Sequence, residues 1–288
     1  MVKRTRIQHP AWGGRKIKAY LERRGYRDIP AASTITEILR RKDLINPEEA
    51  EKHKPFQSFE MEKPNELWQM DFKGYFKLTE GGHCHPLTII DDHSRYLIGL
   101  KACSNETHKT VQEYLCQVFS YYGLPDRMLM DNGSPWGNSQ DHPYTMLTGW
   151  LIRLGIKVSH GKPYHPQTQG KDERLHRTLN EEVIRQFPMT NLNQSQIIFD
   201  QWREIYNNDR PHESLKMGTP CEHYHISSKP FLRFLAPITY PPDFIVRKVD
   251  QSGGIYFQNK RHRISKAFRY SIVGLHQDED NDDIVNVS

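Results

Sequence analysis

The chain has 288 residues, of which 36% are hydrophobic, 11% aromatic and 26% charged. That balance excludes a disordered polar chain, and no apolar run reaches membrane-spanning length, so a folded cytosolic protein is expected. The net charge of +5 is unevenly spread: residues 1–54 hold 14 Lys/Arg against 7 Asp/Glu, residues 55–220 hold 17 against 20, and residues 221–288 hold 9 against 8. Basic flanks around a mildly acidic centre suit a metal-bearing core with nucleic-acid-binding arms. The start, Met1-Val2-Lys3-Arg4-Thr5-Arg6, is basic without the apolar stretch of a signal peptide. Cys84, Cys103, Cys116 and Cys221 form no C-x-x-C pair, which points to small apolar residues rather than zinc ligands.

Gly14 to Arg24 carries Ile17, Tyr20 and Leu21 at helical spacing, and Gly25 ends the run. A second helix follows Pro30-Ala31-Ala32, with Ser33 expected as its N-cap and Ile35, Ile38 and Leu39 on one apolar face. Thr34, Glu37, Arg40 and Arg41 occupy the other face. This pair reads as a helix-turn-helix in which Thr34, Arg40 and Arg41 contact DNA; a charged helical hairpin packed on the core is the competing reading. Residues 43–66, punctuated by Pro47, Pro55 and Pro64, read as a linker.

The centre mixes strands and helices. Leu67 to Leu78 is strand-like, Thr79-Glu80-Gly81-Gly82-His83 supplies a hairpin turn, and Cys84–Ile90 and Tyr96–Ala102 continue an antiparallel meander. Thr107 to Tyr122 is helical, with Val111, Tyr114, Leu115, Val118 and Phe119 in one stripe and Gly123-Leu124-Pro125 as its stop. Arg127–Met130 is a short strand, Tyr144–Leu154 a helix, Ile156–Ser159 a strand, and Gln169–Phe187 and Leu192–Asn207 are helices. The order β-β-β-α-β-α-β-α-α predicts an α/β fold: a mixed sheet with helices on both faces.

The tail, residues 240–288, reads as short strands forming a small β-barrel or sandwich. It holds a basic stretch (Arg247, Lys248, Lys260, Arg261, Arg263, Lys266, Arg269) and then the acidic cluster Asp278, Glu279, Asp280, Asp282 and Asp283. Three units are expected: 1–54, a basic helix-turn-helix and linker; 55–222, a catalytic core; and 223–288, a small β domain.

Three acids carry the chemistry. Asp71 follows Trp68-Gln69-Met70, Asp131 follows Met128-Leu129-Met130, and Glu173 opens the helix after Gly170. Carboxylates at such ends converge on divalent cations held against a phosphodiester, because Mg²⁺ prefers oxygen ligands. Asp172 adjoins Glu173, but neighbours on a helix point about 100° apart, so only one is expected to face the site, and the spacing after Gly170 selects Glu173. Asp91 and Asp92 are expected to stabilise a turn near Arg95.

These motifs resemble the DDE superfamily of retroviral integrases and bacterial insertion-sequence transposases. The resemblance rests on Trp68-Gln69-Met70-Asp71, Asp91-Asp92-His93-Ser94-Arg95-Tyr96, Met130-Asp131-Asn132-Gly133, Tyr164-His165-Pro166-Gln167-Thr168-Gln169-Gly170-Lys171-Asp172-Glu173 and Tyr206-Asn207-Asn208-Asp209-Arg210-Pro211-His212. It implies an RNase H-like core. It also implies a metal-dependent polynucleotidyl transferase that cleaves and joins DNA at transposon ends, with Asp71, Asp131 and Glu173 holding Mg²⁺ or Mn²⁺, as two ions. Asp71 would bridge both ions, Asp131 complete one site and Glu173 the other.

The partners implied are the element's terminal inverted repeats and target DNA, engaged by a homo-oligomer. His165, Gln167, Lys171 and Arg174 are the expected core contacts to DNA, and Lys260, Arg261 and Arg263 the expected tail contacts. Trp136 is a candidate for stacking on a flipped base, with packing the stronger expectation, and Arg210 and His212 are expected to brace the helix that carries Glu173.

The chain departs from the retroviral pattern in lacking an N-terminal His/Cys zinc cluster, which favours the bacterial branch. An upstream DNA-binding region of the kind related transposases carry is expected on an extension or a partner. The 41 residues between Asp131 and Glu173 exceed the tightest family spacing, and Ser134–Pro143 is the expected extra loop. Two competing functions are a non-catalytic, transposase-derived DNA-binding or regulatory protein and a general RNase H-type nuclease.

Overall fold

The computed structural model describes residues 1–45, 60–137, 144–161, 170–277 and 285–287. Helices α1 (Val2–Gln8), α2 (Gly14–Arg23) and α3 (Ala32–Arg40) bury Val2, Trp12, Ile17, Leu21, Ile35 and Leu39 together. α1 was not expected from the sequence; its apolar content is too small to show a period, and burial of Val2 against the other two helices holds it. Ser33 is not the N-cap. α3 starts two residues earlier, with Ala31 at the cap at φ −55° and ψ 150° and no side-chain capping bond.

The central sheet contains β1 (Trp68–Phe72), β2 (Phe76–Lys77), β3 (His83–Asp91), β4 (Leu97–Cys103), β5 (Arg127–Met130) and β6 (Lys157–His160). β3 pairs antiparallel with β1, β2 and β4, while β1–β5 and β5–β6 are parallel. Laid edge to edge the main strands run β4-β3-β1-β5-β6, the mixed RNase H-like arrangement. The single strand expected over Leu67–Leu78 is broken. Gly74 takes φ 87°, a left-handed value that most side chains resist, and divides β1 from β2.

One face of the sheet is covered by α4 (His108–Tyr122) and α5 (Met146–Arg153). Val111, Leu115, Val118, Phe119, Leu147 and Leu151 pack there on Met70, Leu87 and Ile89. Thr107 and Thr145 cap these helices by accepting the N–H groups of Thr110 and Thr148. The opposite face is covered by α6 (Gly170–Leu179) and α7 (Leu192–Glu204), through Leu175, Leu179, Phe199 and Trp202 against Cys84, Ile90, Leu97 and Leu100. α6 ends sooner than the pattern suggested: a π turn over Asn180–Ile184 follows it, and Phe187 lies outside.

The described part of the tail forms a three-stranded sheet of β7 (Ile245–Lys248), β10 (Ile272–Gln277) and β11 (Val285–Val287), and a hairpin of β8 (Gly254–Phe257) and β9 (Lys260–Arg263). Val249, Ile255, Val273 and Leu275 make its core. The acidic cluster expected over 278–283 lies outside the described residues.

Candidate active site

β1 and β5 lie side by side and parallel, with Trp68 opposite Met128 and Gln69 opposite Leu129. Continued two residues, that register brings Asp71 level with Asp131, the first residue beyond β5. The proximity has an electrostatic consequence. Burial, and then the Asp131 charge, push the Asp71 carboxyl up to about 7, against the opposing hydrogen bond from the Phe72 N–H at 2.8 Å. Asp131 is more open; its Oδ1 accepts the Gly133 N–H at 2.9 Å. Its carbonyl lies 2.8 Å from His160 Nδ1, which must therefore carry the proton, leaving Nε2 buried with no hydrogen-bond partner among the described residues.

α6 closes the third side. Thr88, opposite Asp71 in the sheet, donates its hydroxyl proton to the Asp71 carbonyl at 3.0 Å. His176 Nε2, 2.8 Å from the same hydroxyl, must then be the donor to it. The other ring nitrogen, Nδ1, is 4.0 Å from Asp71 Oδ2. Burial, aided by the Lys73 charge, lowers the His176 pKa to about 4, so the ring is neutral near pH 7 and turns a lone pair toward Asp71. His176 was not among the sequence candidates. It lies four residues after Asp172, so a reading of the inward face of α6 would have found it.

Helix α6 places its two neighbouring acids differently. Asp172 is the residue that points inward: it is 4% exposed, and burial and the charges of Asp71 and Asp92 raise its pKa well above the usual carboxylate range. Its Oδ1 has no hydrogen-bond partner among the described residues. Glu173 is exposed at the start of α6. The helix must bury Leu175 and Leu179, and Asp172 lies three and seven residues before them, on the same stripe.

The expected DNA contacts divide into committed and open groups. Lys171 is not a free cation: its ammonium pairs with the buried Asp92 carboxylate and with the Asp92 carbonyl at 3.3 Å. Arg174 is exposed. Thr34, Arg40 and Arg41 are exposed, but both arginines are salt-bridged to Glu37 of the same helix. Lys260 and Arg263 are exposed on β9, whereas Arg261 is held by Asp250, with Nη2 at 3.0 Å from Oδ2, and by Ser252 at 2.6 Å. His165 and Gln167 lie outside the described residues. Trp136 is buried and stacks on Phe72 at 5.6 Å.

Asp91 and Asp92 serve the turn. Asp91 accepts the N–H groups of Ser94 and Asn65 at 2.8 and 2.7 Å, and Asp92 accepts those of Met61 and the Gln69 amide at 2.9 and 2.6 Å. Arg210 pairs with Glu182 at 3.1 Å, on the π turn that continues α6, and Trp202 donates to the same carboxylate at 2.9 Å.

The donor chemistry fits a hard divalent cation. Two carboxylates meet at strand ends, one of them also facing an imidazole lone pair, and positive charge between them would offset both the burial and the Asp131 charge that lift Asp71. Among the described residues no three His, Cys, Asp or Glu side chains form a preassembled metal site.

Two models of the integrase core domain match, over residues 61–166 and 154–220, and together they span the sheet, both acid-bearing strand ends and α6. The chain belongs to the integrase core family. The DDE-type character recognised in its motifs is that of insertion-sequence transposases with such a core. The integrase core is 34% identical over 116 residues to the Gag-Pro-Pol polyprotein of Simian retrovirus SRV-2, covering 40% of this chain and 6% of the polyprotein. It is 25% identical over 159 residues to an uncharacterised 39.2 kDa protein of insertion element IS476 from Xanthomonas euvesicatoria, covering 55% of this chain and 44% of that protein. The chain thus spans less than half of either relative. Among solved structures, the catalytic core of HTLV-2 integrase in complex with magnesium aligns over 57% of this chain and 99% of its own, at 19% identity and a TM-score of 0.42. Among the described residues no helix is long and apolar enough to cross a membrane.

Proposed function

We propose that this chain is a transposase that cleaves the DNA ends of an insertion sequence and transfers the strands to target DNA. Asp71, Asp131 and Glu173 act as ligands for Mg²⁺ or Mn²⁺, bound as a pair of ions. The observation that carries this is the Asp71–Asp131 pair, two carboxylates at the ends of adjacent parallel strands, where burial first and then the Asp131 charge raise Asp71 to about 7. When bound, the cations would activate an attacking oxygen, from water in cleavage and from a DNA 3′-OH in transfer, and stabilise the leaving oxygen.

The chain's own part is positional. Thr88 and His176 hold the backbone and one flank of Asp71, the Gly133 N–H orients Asp131, and exposed Glu173 supplies the third carboxylate from α6. Arg174, Lys260 and Arg263 are exposed cations suited to the DNA backbone, and paired ends call for a homo-oligomer. We assign residues 1–54, 55–222 and 223–288 to the DNA-binding, catalytic and β units respectively.

Labelled duplexes taken from the DNA flanking the coding region test the proposal. Cleavage that needs Mg²⁺ or Mn²⁺ and is lost in Asp71→Asn and Asp131→Asn is expected. Binding of these duplexes by the wild-type protein with no metal-dependent product would instead support the non-catalytic, DNA-binding alternative.

A further inference from the structure

Four residues after Asp71, past the break between β1 and β2, lies an exposed aromatic cluster that no catalytic role uses. Gly74, at φ 87°, turns the chain out of β1, and Tyr75 follows it, 66% exposed. The nearby aromatics of this wall are packed: Phe72 and Trp136 stack on one another at 5.6 Å, and Trp136 is 1% exposed. Tyr75 is held from two sides. The ring of His83 meets it edge-on at 4.9 Å and 89°, and the ring of His85 lies 5.6 Å away at 38°. His85 is itself fixed, its Nδ1 donating to Glu106 Oε1 at 2.8 Å. Glu106 is near enough for its charge to act on Asp71, and Tyr75 is four residues from Asp71 in the chain. Lys77, opposite His83 in the hairpin, is exposed alongside.

An exposed aromatic ring normally loses side-chain freedom when it takes up a partner. Here two imidazoles already restrain it, so that cost is largely met before binding. An exposed π face linked to Asp71 through His85 and Glu106 suits an unpaired nucleobase, and stacking there is tolerant of base identity.

We propose that Tyr75, braced by His83 and His85, is a stacking platform for an unpaired base of the DNA strand next to the scissile phosphate. This deepens the DNA-end reading above and rests on it. The platform separates a frayed or overhanging strand end from its complement and holds it at the mouth of the carboxylate site, with Lys77 placed for the adjoining phosphate.

The test is binding in EDTA, where no cleavage occurs. Blunt duplexes are compared with duplexes carrying a short single-stranded extension that contains 2-aminopurine. Wild-type protein is expected to bind the extended duplex roughly tenfold tighter, within what one base–aromatic stack contributes, and to quench the 2-aminopurine. Tyr75→Phe should keep both effects, and Tyr75→Ala should lose both while keeping the thermal midpoint, because the ring is exposed. Retention of the extension preference in Tyr75→Ala overturns the proposal. So does a change in the sedimentation of DNA-free Tyr75→Ala, which would make the cluster a contact between copies of this chain. The two readings fail separately: extension preference without metal-dependent cleavage removes the catalytic one, and cleavage without the preference removes the platform.

Discussion

Lys171 and Asp92 form an ion pair inside the protein: Nζ lies 2.5 Å from Oδ1, with the two side chains 11% and 1% exposed. The pair joins the first turn of α6 to the turn after β3, where Asp92 also gathers the N–H groups of Met61 and Gln69. Removing the lysine leaves a buried carboxylate short of its cation, a loss of about 3–5 kcal/mol for pairs of this kind. Lys171→Ala should therefore lower the thermal midpoint by roughly 10 °C, and Arg174→Ala, on the exposed face, by almost nothing. Equal midpoints for the two variants would show that Lys171 is not a clamp.

Asp71 predicts a metal-linked stability effect. Its folded pKa, about 7, lies above the ordinary carboxylate value, so the folded chain holds the proton more tightly than the unfolded chain does. The stabilisation from that proton is complete below about pH 4 and is lost as pH rises through 7. In metal-free buffer at pH 8, Asp71→Asn should be more stable than wild type by a few kcal/mol, and near pH 4 the two should converge. Mg²⁺ should then stabilise wild type and leave Asp71→Asn unchanged. Parallel denaturation curves at both pH values would refute the account.

His176 works in the opposite direction. Its pKa is lowered to about 4, so its stabilisation is present above the unfolded value near 6.5 and is lost as pH falls from there to 4. His176→Gln keeps a donor for Thr88 but cannot titrate. It should remove an acid-side loss on the order of 3 kcal/mol from the urea-unfolding profile between pH 6.5 and 4. An unchanged profile would mean that the imidazole is not held neutral.

The sheet, the two strand-end aspartates and the covering helices were legible because each has a local period: alternating or continuous apolar strands, and the stripes of α4 and α7. Trp136 and Arg210 also behave as read, one packed on Phe72 and the other bracing the continuation of α6 through Glu182. What the sequence hid depends on partners distant in the chain. Nothing local shows that Lys171 will meet Asp92 or that Glu182 will hold Arg210 and Trp202. The inward position of Asp172 was within reach, because it shares the stripe of Leu175 and Leu179.

That position gives a sharp pair of variants. A buried carboxyl without a partner for Oδ1 is costly to ionise, so Asp172→Asn should preserve or raise stability at neutral pH and leave most of the cleavage activity. Glu173→Gln should leave stability unchanged, since the side chain is exposed, and lower the cleavage rate by at least 10²-fold, as expected for the loss of a ligand to catalytic metal. A dead Asp172→Asn beside an active Glu173→Gln would make the inward acid the third ligand.

The N-terminal helices predict a salt dependence weaker than their charge suggests. Arg23 pairs with Glu222 at 2.9 Å and Arg24 with Asp209 at 2.8 Å, both on the segment after α7. These cations anchor the helical unit to the core, as the packed-hairpin alternative required, and are not free to neutralise phosphate. The other face stays open: Arg40 and Arg41 share Glu37 but are 67% and 75% exposed, so DNA can compete for them at little cost. Each phosphate contact contributes about 0.9 to the slope of log affinity against log salt concentration. Arg40→Gln with Arg41→Gln should flatten that slope by roughly 2, whereas Arg23→Gln with Arg24→Gln should leave it intact. If the second pair flattens the slope and the first does not, the helical unit leaves its docked position on DNA and binds through α2.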